Sequence, residues 1–485
     1  MLKGRIIHNF RMNKLFKILL VLLISSTAIA QDIKYLRYDT DLLSSQFHKN
    51  RRGEVRKQMP ENSVAVLFAA PVRNRSNDND YAYHQSPDFY YLTGNTEPNS
   101  MLVIAKNEIE IDGKKSNEFL FVQRRNPFAE IWTGRRLGIK GAEQLLGFDA
   151  VFISGDFENT NIDFRNFSSV LILREPTGVV SDRNAQDDLW MLIDNFRSKV
   201  NANAVPDLHG KATVLDSVQL DDILKELREI KQPEEMTLMR KAVDISCDGH
   251  IEMMRKTKPG MHEYEVQAVG QYVFEKNGSE YVGYPSICGG GENSVILHYQ
   301  TNRKKLSDKD LILLDMAAEY HGYTADITRT LPVNGKFSPE QKIIYDLVLQ
   351  AQDSGIANCL PGNSFMAPHN AAVRVISRGL KELGIIKSES EYRKYFMHGT
   401  SHYLGLDVHD AGTRGNLKTG SIITVEPGIY IAEGSDCDKK WWNIGVRIED
   451  DILITETGRE NLSAKAPRTT ADIEKKMEET SPIFK

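Results

Sequence analysis

Short apolar runs alternate with polar or helix-periodic stretches through the first half of the chain. Ser63-Val-Ala-Val-Leu-Phe68, Met101-Leu-Val-Ile-Ala105, Phe119-Leu-Phe-Val122 and Val170-Leu-Ile-Leu173 read as strands, and Asp187 to Lys199 has the period of a helix. That alternation predicts an α/β domain over residues 31–230. Leu220 to Lys231 is apolar at helical spacing, and Gln232-Pro233 then punctuates it. Proline suits the first position of a new helix, so a second domain is placed at residues 231–485.

The second domain repeats its own pattern. A helix opening at Pro233-Glu-Glu is interrupted by Lys258-Pro-Gly260, and a second helix ends at Asn277-Gly278. Pro339-Glu-Gln, Leu360-Pro-Gly362 and Leu383-Gly384 do the same at offsets of 106, 102 and 106 residues. Acid-bearing strands follow each helical pair: Asp315 and Asp326 after the first, Glu426 and Glu449 after the second. A duplicated helix-helix-sheet unit would join two half-sites at a pseudo-twofold axis, an α+β arrangement.

Leu311-Ile-Leu-Leu-Asp315 reads as a buried strand, Glu319 to Gly322 as a tight turn and Tyr323 to Thr330 as the returning strand. With the turn centred between Tyr320 and His321, Asp315 and Asp326 become a directly opposed pair. Like charges so placed destabilise a sheet unless something positive lies between them. Downstream, His398-Gly-Thr-Ser-His402-Tyr-Leu-Gly-Leu-Asp-Val-His409 supplies three imidazoles on a segment broken by Gly399 and Gly405. Glu426 ends the apolar run Ile422-Ile-Thr-Val, and Glu449 is expected inside a strand from Gly445 to Thr455. Four carboxylates and a histidine suit manganese, magnesium, cobalt or iron better than one structural zinc, and that much charge points to two ions. Strand period sets Thr328, Thr424 and Arg447 two residues from a ligand, on its face, where Arg447 would neutralise surplus negative charge.

The motifs Asp-x(10)-Asp-Ile-Thr-Arg-Thr, His-Gly-x-Ser-His-x-Leu-Gly-Leu-Asp-Val-His, Val-Glu-Pro-Gly and Arg-Ile-Glu-Asp-Asp closely resemble the dinuclear metallopeptidases of the pita-bread fold, the aminopeptidase P family above all. The resemblance spans roughly residues 36 to 465, and Asp88-Phe-Tyr90-Tyr-Leu-Thr-Gly94 and Glu130-Ile-Trp-Thr-Gly-Arg135-Arg136-Leu-Gly138 look like that family's creatinase-like first domain. It implies metal ligands at Asp315, Asp326, His402, Glu426 and Glu449. Asp326 and Glu449 would bridge the metals, Asp315 complete one coordination sphere, and His402 and Glu426 the other.

By the same resemblance two divalent ions, manganese foremost with zinc, cobalt or iron as alternatives, hold a hydroxide that attacks the scissile carbonyl. Glu426 would relay the proton, His298 and His409 stabilise the oxyanion, and His398 hold the residue after the cut. Tyr430 matches the proline-pocket residue, and Tyr90 stands where some relatives have Trp at the rim of the substrate pocket. The implied activity is release of the amino-terminal residue from peptides with proline second. The alternative is an Xaa-Pro dipeptidase, against which Ser401 weighs, since such sequences more often have Gly there. The resemblance also implies a homodimer or homotetramer.

Composition narrows the partners. The first thirty residues hold five Lys or Arg and no acid; without them 56 basic face 66 acidic residues, which disfavours nucleic acid. Met12-Asn-Lys-Leu-Phe-Lys17, the apolar Ile18 to Ile24 and Ser25 to Ala30 have the three regions of a secretory signal. The expectation is export to the periplasm or medium, with cleavage after Ala30. The apolar stretch is too short for a membrane span of roughly 20 residues. The four cysteines, Cys247, Cys288, Cys359 and Cys437, are widely spaced and make no disulfide framework. The Gly-rich stretch at Cys288 lacks the Gly-Lys-Ser/Thr ending of a phosphate loop and is read as a close-packed turn.

Overall fold

The computed structural model describes residues 35–181, 187–201 and 214–484. The expected signal segment, residues 1–30, lies outside them. The chain divides between Ile223 and Leu224, inside the helix Gln219–Glu229 and ahead of the boundary expected at residue 231. No helix among the described residues is long and apolar enough to cross a membrane.

The first unit is built on a six-stranded mixed sheet. Its strands are β1 (Ser63–Phe68), β2 (Met101–Ile111), β3 (Lys114–Val122), β4 (Val151–Ile153), β5 (Ser169–Ile172) and β6 (Val214–Asp216), ordered β4-β3-β2-β1-β5-β6. The β1/β2 and β2/β3 pairs are antiparallel, and β1/β5, β5/β6 and β3/β4 are parallel. All of β1 is buried, as its unbroken apolar run requires of a central strand. The helix Leu189–Asn201 packs Phe196 edge-on against Phe68 and Phe164, with Leu192 and Ile193 in the same buried core.

Two helical pairs carry the second unit: α1 (Pro233–Lys256) with α2 (Glu263–Lys276), and α3 (Pro339–Ala357) with α4 (Ala367–Glu382). Proline opens α1 and α3, and capping boxes at Gln232/Glu235 and Ser338/Gln341 satisfy their first free N–H groups. After the first pair come β7 (Ile287–Gly290), β8 (Leu311–Asp315), β9 (Ala318–Tyr320), β10 (Tyr323–Thr324) and β11 (Thr328–Pro332). After the second come β12 (Ile422–Val425), β13 (Gly428–Ile431), β14 (Ile444–Arg447), β15 (Asp450–Thr455) and β16 (Gly458–Asn461). The duplication read from the offsets is thus a physical repeat of two helices and a broken antiparallel ladder. The Gly-rich stretch proves to be strand β7, followed by a 3₁₀ turn at Gly291–Val295.

The register of the first ladder differs from expectation. His321 and Gly322 both have positive φ, 50° and 85°, and form the two-residue turn that matches strand twist. The turn therefore pairs Tyr320 with Tyr323 and, further down, Asp315 with Thr328. Asp315 and Asp326 are diagonal neighbours, not a directly opposed pair. A shift of two positions keeps both on one face, which a shift of one would not. Glu449 is not inside a strand either: it lies in the break between β14 and β15. Val425 faces Asp450 and Gly428 faces Arg447, so Glu426 and Glu449 occupy opposed positions in the gap.

One buried guanidinium ties the half-ladders together. Arg329 and Asp450 have fully buried side chains 2.7 Å apart, and Arg329 also donates to the carbonyls of Thr328, Glu449, Ala466 and Pro467. Thr330 Oγ1 donates to the Arg447 carbonyl at 3.0 Å, and the Glu449 N–H donates to the Thr328 carbonyl at 3.1 Å. Arg329→Met leaves the Asp450 carboxylate buried without its main partner, so the second unit should lose about 3–5 kcal/mol. A lowered urea midpoint followed by the fluorescence of Trp441 and Trp442 checks this.

Candidate metal centre and cleft

Where each ladder breaks, a carboxylate is left over. Asp315 ends β8, Asp326 lies between β10 and β11, Glu426 between β12 and β13, and Glu449 between β14 and β15. Pro427, which has no N–H to donate, sits in one of these gaps. The fifth group, His402, comes from an irregular segment that runs along β12: the His402 N–H donates to Thr424 Oγ1 at 3.2 Å, and its carbonyl accepts from the Thr424 N–H at 3.0 Å.

These side chains converge on a cleft of about 430 Å³. Asp326, His402 and Glu449 each offer a ligand atom within 4.8 Å of one another. His402 Nε2 is 3.3 Å from Asp326 and 3.7 Å from Glu426, while its Nδ1 lies 3.0 Å from the Tyr403 carbonyl. That second bond assigns the proton to Nδ1 and leaves Nε2 facing the acids, the arrangement of a metal-ligating imidazole. Arg447 donates to Asp315 Oδ2 at 2.6 Å, and Tyr284 donates to Asp315 Oδ1 at 2.7 Å. Thr328 Oγ1 donates to Glu449 Oε2 at 2.7 Å.

The acids are more than their neighbours can neutralise. Burial lifts Asp315 above the ordinary carboxylate range; Arg447 opposes this and Asp326 adds to it. Burial likewise raises Glu426 to about 7 against the pull of His402, and Glu449 goes well above its usual range through burial and then repulsion by Asp326 and Glu426. Burial pulls His402 down, yet Asp326 and Glu426 carry it to about 9. Oxygen-rich ligands, mutual repulsion and one correctly oriented imidazole fit divalent cations. Behind them Asp451 Oδ2 accepts from the Asp326 N–H at 3.2 Å, and its other carboxylate oxygen is buried without a partner.

The remaining predicted residues are distributed unevenly. His298, His398, His409 and Arg447 line the cleft. His398 is pushed down to about 3 by burial and Arg447, so it is neutral; its Nδ1 is 2.6 Å from the Gly399 carbonyl and its Nε2 2.8 Å from the Tyr430 hydroxyl. Tyr430 does not line the cleft. Its buried hydroxyl accepts from Arg447 Nη1 at 2.9 Å, linking His398 to Arg447. Tyr90 is a buried residue of the first unit, its ring edge-on to His48 at 5.7 Å. Sequence reasoning missed Tyr284 and the apolar wall of Pro285, Ile287, Leu297 and Val408. Only the pairing of Ile287 with Asp315 brings Tyr284 to the acids, and no spacing in the sequence announces it.

The family model for metallopeptidase family M24 matches residues 237–456, and that for the aminopeptidase P N-terminal domain matches residues 48–167. The Xaa-Pro aminopeptidase of Escherichia coli strain K12 is 37% identical over 444 residues, covering 89% of this chain and 97% of the relative. The chain belongs to metallopeptidase family M24. Its structure is similar to that of E. coli aminopeptidase P with the inhibitor Pro-Leu, at 36% identity and TM-score 0.80, covering 90% of this chain and 98% of that one. The zinc-substituted E. coli aminopeptidase P in complex with product matches at 37% identity and TM-score 0.79, over the same shares of the two chains. Asp315, Asp326, His402, Glu426 and Glu449, which line one cleft, are groups that could hold a metallopeptidase's divalent ions.

Metal uptake must displace protons from this cluster. Glu426 is protonated below about 7 and His402 below about 9 in the metal-free protein, and both must be deprotonated to ligate. Divalent-ion affinity should therefore rise from pH 6 to pH 9, with net proton release at neutral pH. Calorimetric titration in buffers of different ionisation enthalpy checks the sign.

Proposed function

We propose that this M24 enzyme releases the amino-terminal residue from peptides with proline at the second position. The observation that carries the reading is one cleft in which four carboxylates and a correctly oriented His402 stand beside the imidazoles of His298, His398 and His409. Divalent ions bound there would polarise the scissile carbonyl and make a water acidic enough to attack near neutral pH. Manganese is the proposed native metal, because the donors are mostly oxygen. That the solved relative in complex with product is zinc-substituted keeps zinc as the alternative.

The chain's own groups do the rest. Glu426, in the cleft beside His402, takes up the proton of the attacking water and passes it to the leaving nitrogen. His298 and His409 face the cleft from exposed positions and donate to the oxyanion as it forms. Neutral His398, aligned by Tyr430, holds the residue after the cut. A bond into proline is a tertiary amide without an N–H, so a site that recognises the ring by shape can use it. Pro285, Ile287, Leu297 and Val408 supply such a wall.

Export with cleavage after Ala30 is part of the proposal and rests on the pattern of residues 12–30. Self-association is proposed as well. Phe128, Ile131 and Trp132, 82%, 76% and 88% exposed on one short helix, are the apolar surface that supports it.

Glu426→Gln should cut turnover by at least about 100-fold, the usual loss when a general base is removed. Metal content measured alongside separates this from lost ligation, and near-wild-type turnover with both ions bound would exclude the role. A dipeptidase needs a cation for the proline carboxylate. Arg447 is the guanidinium lining the cleft, and it is engaged by Asp315 and Tyr430. An Xaa-Pro-Xaa tripeptide should accordingly show a higher kcat/KM than the matching Xaa-Pro dipeptide. Arg414, in the loop after His409, is the other candidate for that clamp, and a strong dipeptide preference abolished by Arg414→Ala would transfer the assignment to Xaa-Pro dipeptidase.

A further inference from the structure

His409 is carried by a stretch with no helix or strand of its own, from Gly405 to Arg414, and its side chain is exposed. Segments of this kind are ordinarily the most mobile parts of a protein. This one is held from beneath by charge. The Asp410 side chain, next to His409, is 1% exposed and lies between Arg228 and Lys231, with Lys231 Nζ 2.8 Å from its Oδ2. Arg228 also reaches Asp407 at 3.1 Å. The intervening Glu229, fully buried, accepts from the Thr413 N–H and hydroxyl at 3.0 and 2.6 Å, from Lys418 at 3.1 Å and from the Tyr403 hydroxyl at 3.2 Å.

The near end of the stretch is held too. The Gly405 carbonyl accepts from the Thr324 N–H at 2.9 Å, two residues before Asp326, and the Asp410 N–H donates to the Tyr403 carbonyl at 2.9 Å. A Cβ at Gly405 would run into the Asp410 carboxylate and the end of Lys231, so glycine is what lets the ion cluster pass under the chain here. Burial would raise Asp410; Arg228 and Lys231 hold it below the ordinary carboxylate range, and it stays ionised.

Buried ion clusters are poor devices for stability alone, because well-packed apolar groups do as well or better once desolvation is counted. What such a cluster supplies is a single geometry, here one residue away from an imidazole whose ring centroid is 4.4 Å from that of His402. We propose that the Arg228–Asp410–Lys231 cluster is a positioning device that holds the Gly405–Arg414 stretch so that His409 meets the developing oxyanion. This rests on the role given to His409 above. Arg228, Lys231 and Asp410 are not among the residues lining the cleft, and the cluster acts through the histidine.

The test is a double-mutant cycle on the metal-loaded enzyme. Lys231→Met keeps the Arg228–Asp410 pair and leaves no carboxylate uncompensated, so it is the variant expected to fold; Asp410→Asn is run beside it. Lys231→Met should lower kcat about 10- to 100-fold, the loss typical of a small misplacement of a reacting group, with KM and metal content little changed. In a His409→Ala background the same substitution should have no further effect, and amide exchange of the Gly405–Arg414 stretch should speed up in Lys231→Met. Fully multiplicative losses, or wild-type kcat in Lys231→Met, would overturn the positioning role while leaving that of His409 in place. Wild-type turnover in His409→Ala would overturn both.

Discussion

Four carboxylates brought together with one imidazole, largely out of water, are the constraint on which the catalytic unit is built. Each would remain ionised at a surface; gathered here, Asp315, Glu426 and Glu449 are all lifted, and His402 is driven towards its cation. Arg447 compensates one charge through its 2.6 Å pair with Asp315, and Tyr284 and Thr328 contribute hydrogen bonds. The rest of the deficit is what divalent ions are suited to fill. Binding metal and relieving strain in the protein's own electrostatics are thus a single event.

Holding such a cluster against its own repulsion demands a stiff frame. The two broken ladders are cross-linked backbone to backbone and by Thr330, and Arg329 donates to four carbonyls as well as to Asp450. The breaks themselves are functional. A carboxylate in a gap has left its ladder, and its side chain can turn to the shared cleft without being claimed by a cross-strand neighbour. The same logic extends to the loop of His409, where position comes from a buried ion cluster in place of a ladder.

The chemistry of the cleft follows from which groups are neutral. His398 is kept uncharged by burial and by Arg447, and the Tyr430 hydroxyl, accepting from Arg447, has its own proton to give to His398. One guanidinium therefore serves an acid on one side and orients a neutral imidazole on the other. With that cation already engaged, the cleft favours a substrate that continues past proline over one that ends in a carboxylate.

Much of this was legible in the sequence. Proline-opened helices, Pro-Gly interruptions and their regular offsets are local signals, and they carried the duplication and both helical pairs. Apolar runs ending in acids marked Asp315 and Glu426, because a charge at the end of a buried strand is conspicuous on its own. The register was not local. It depended on His321 and Gly322 both taking positive φ, which moved the turn and made Asp315 and Asp326 diagonal. The direct opposition expected of that pair instead describes Glu426 and Glu449, on strands whose gap the apolar pattern does not mark. Tyr284, Asp451 and the Arg228–Asp410–Lys231 cluster belong to the tertiary structure alone. Their meaning lies in what they touch from 31 to 182 residues away, and composition and periodicity carry no record of contacts at that range.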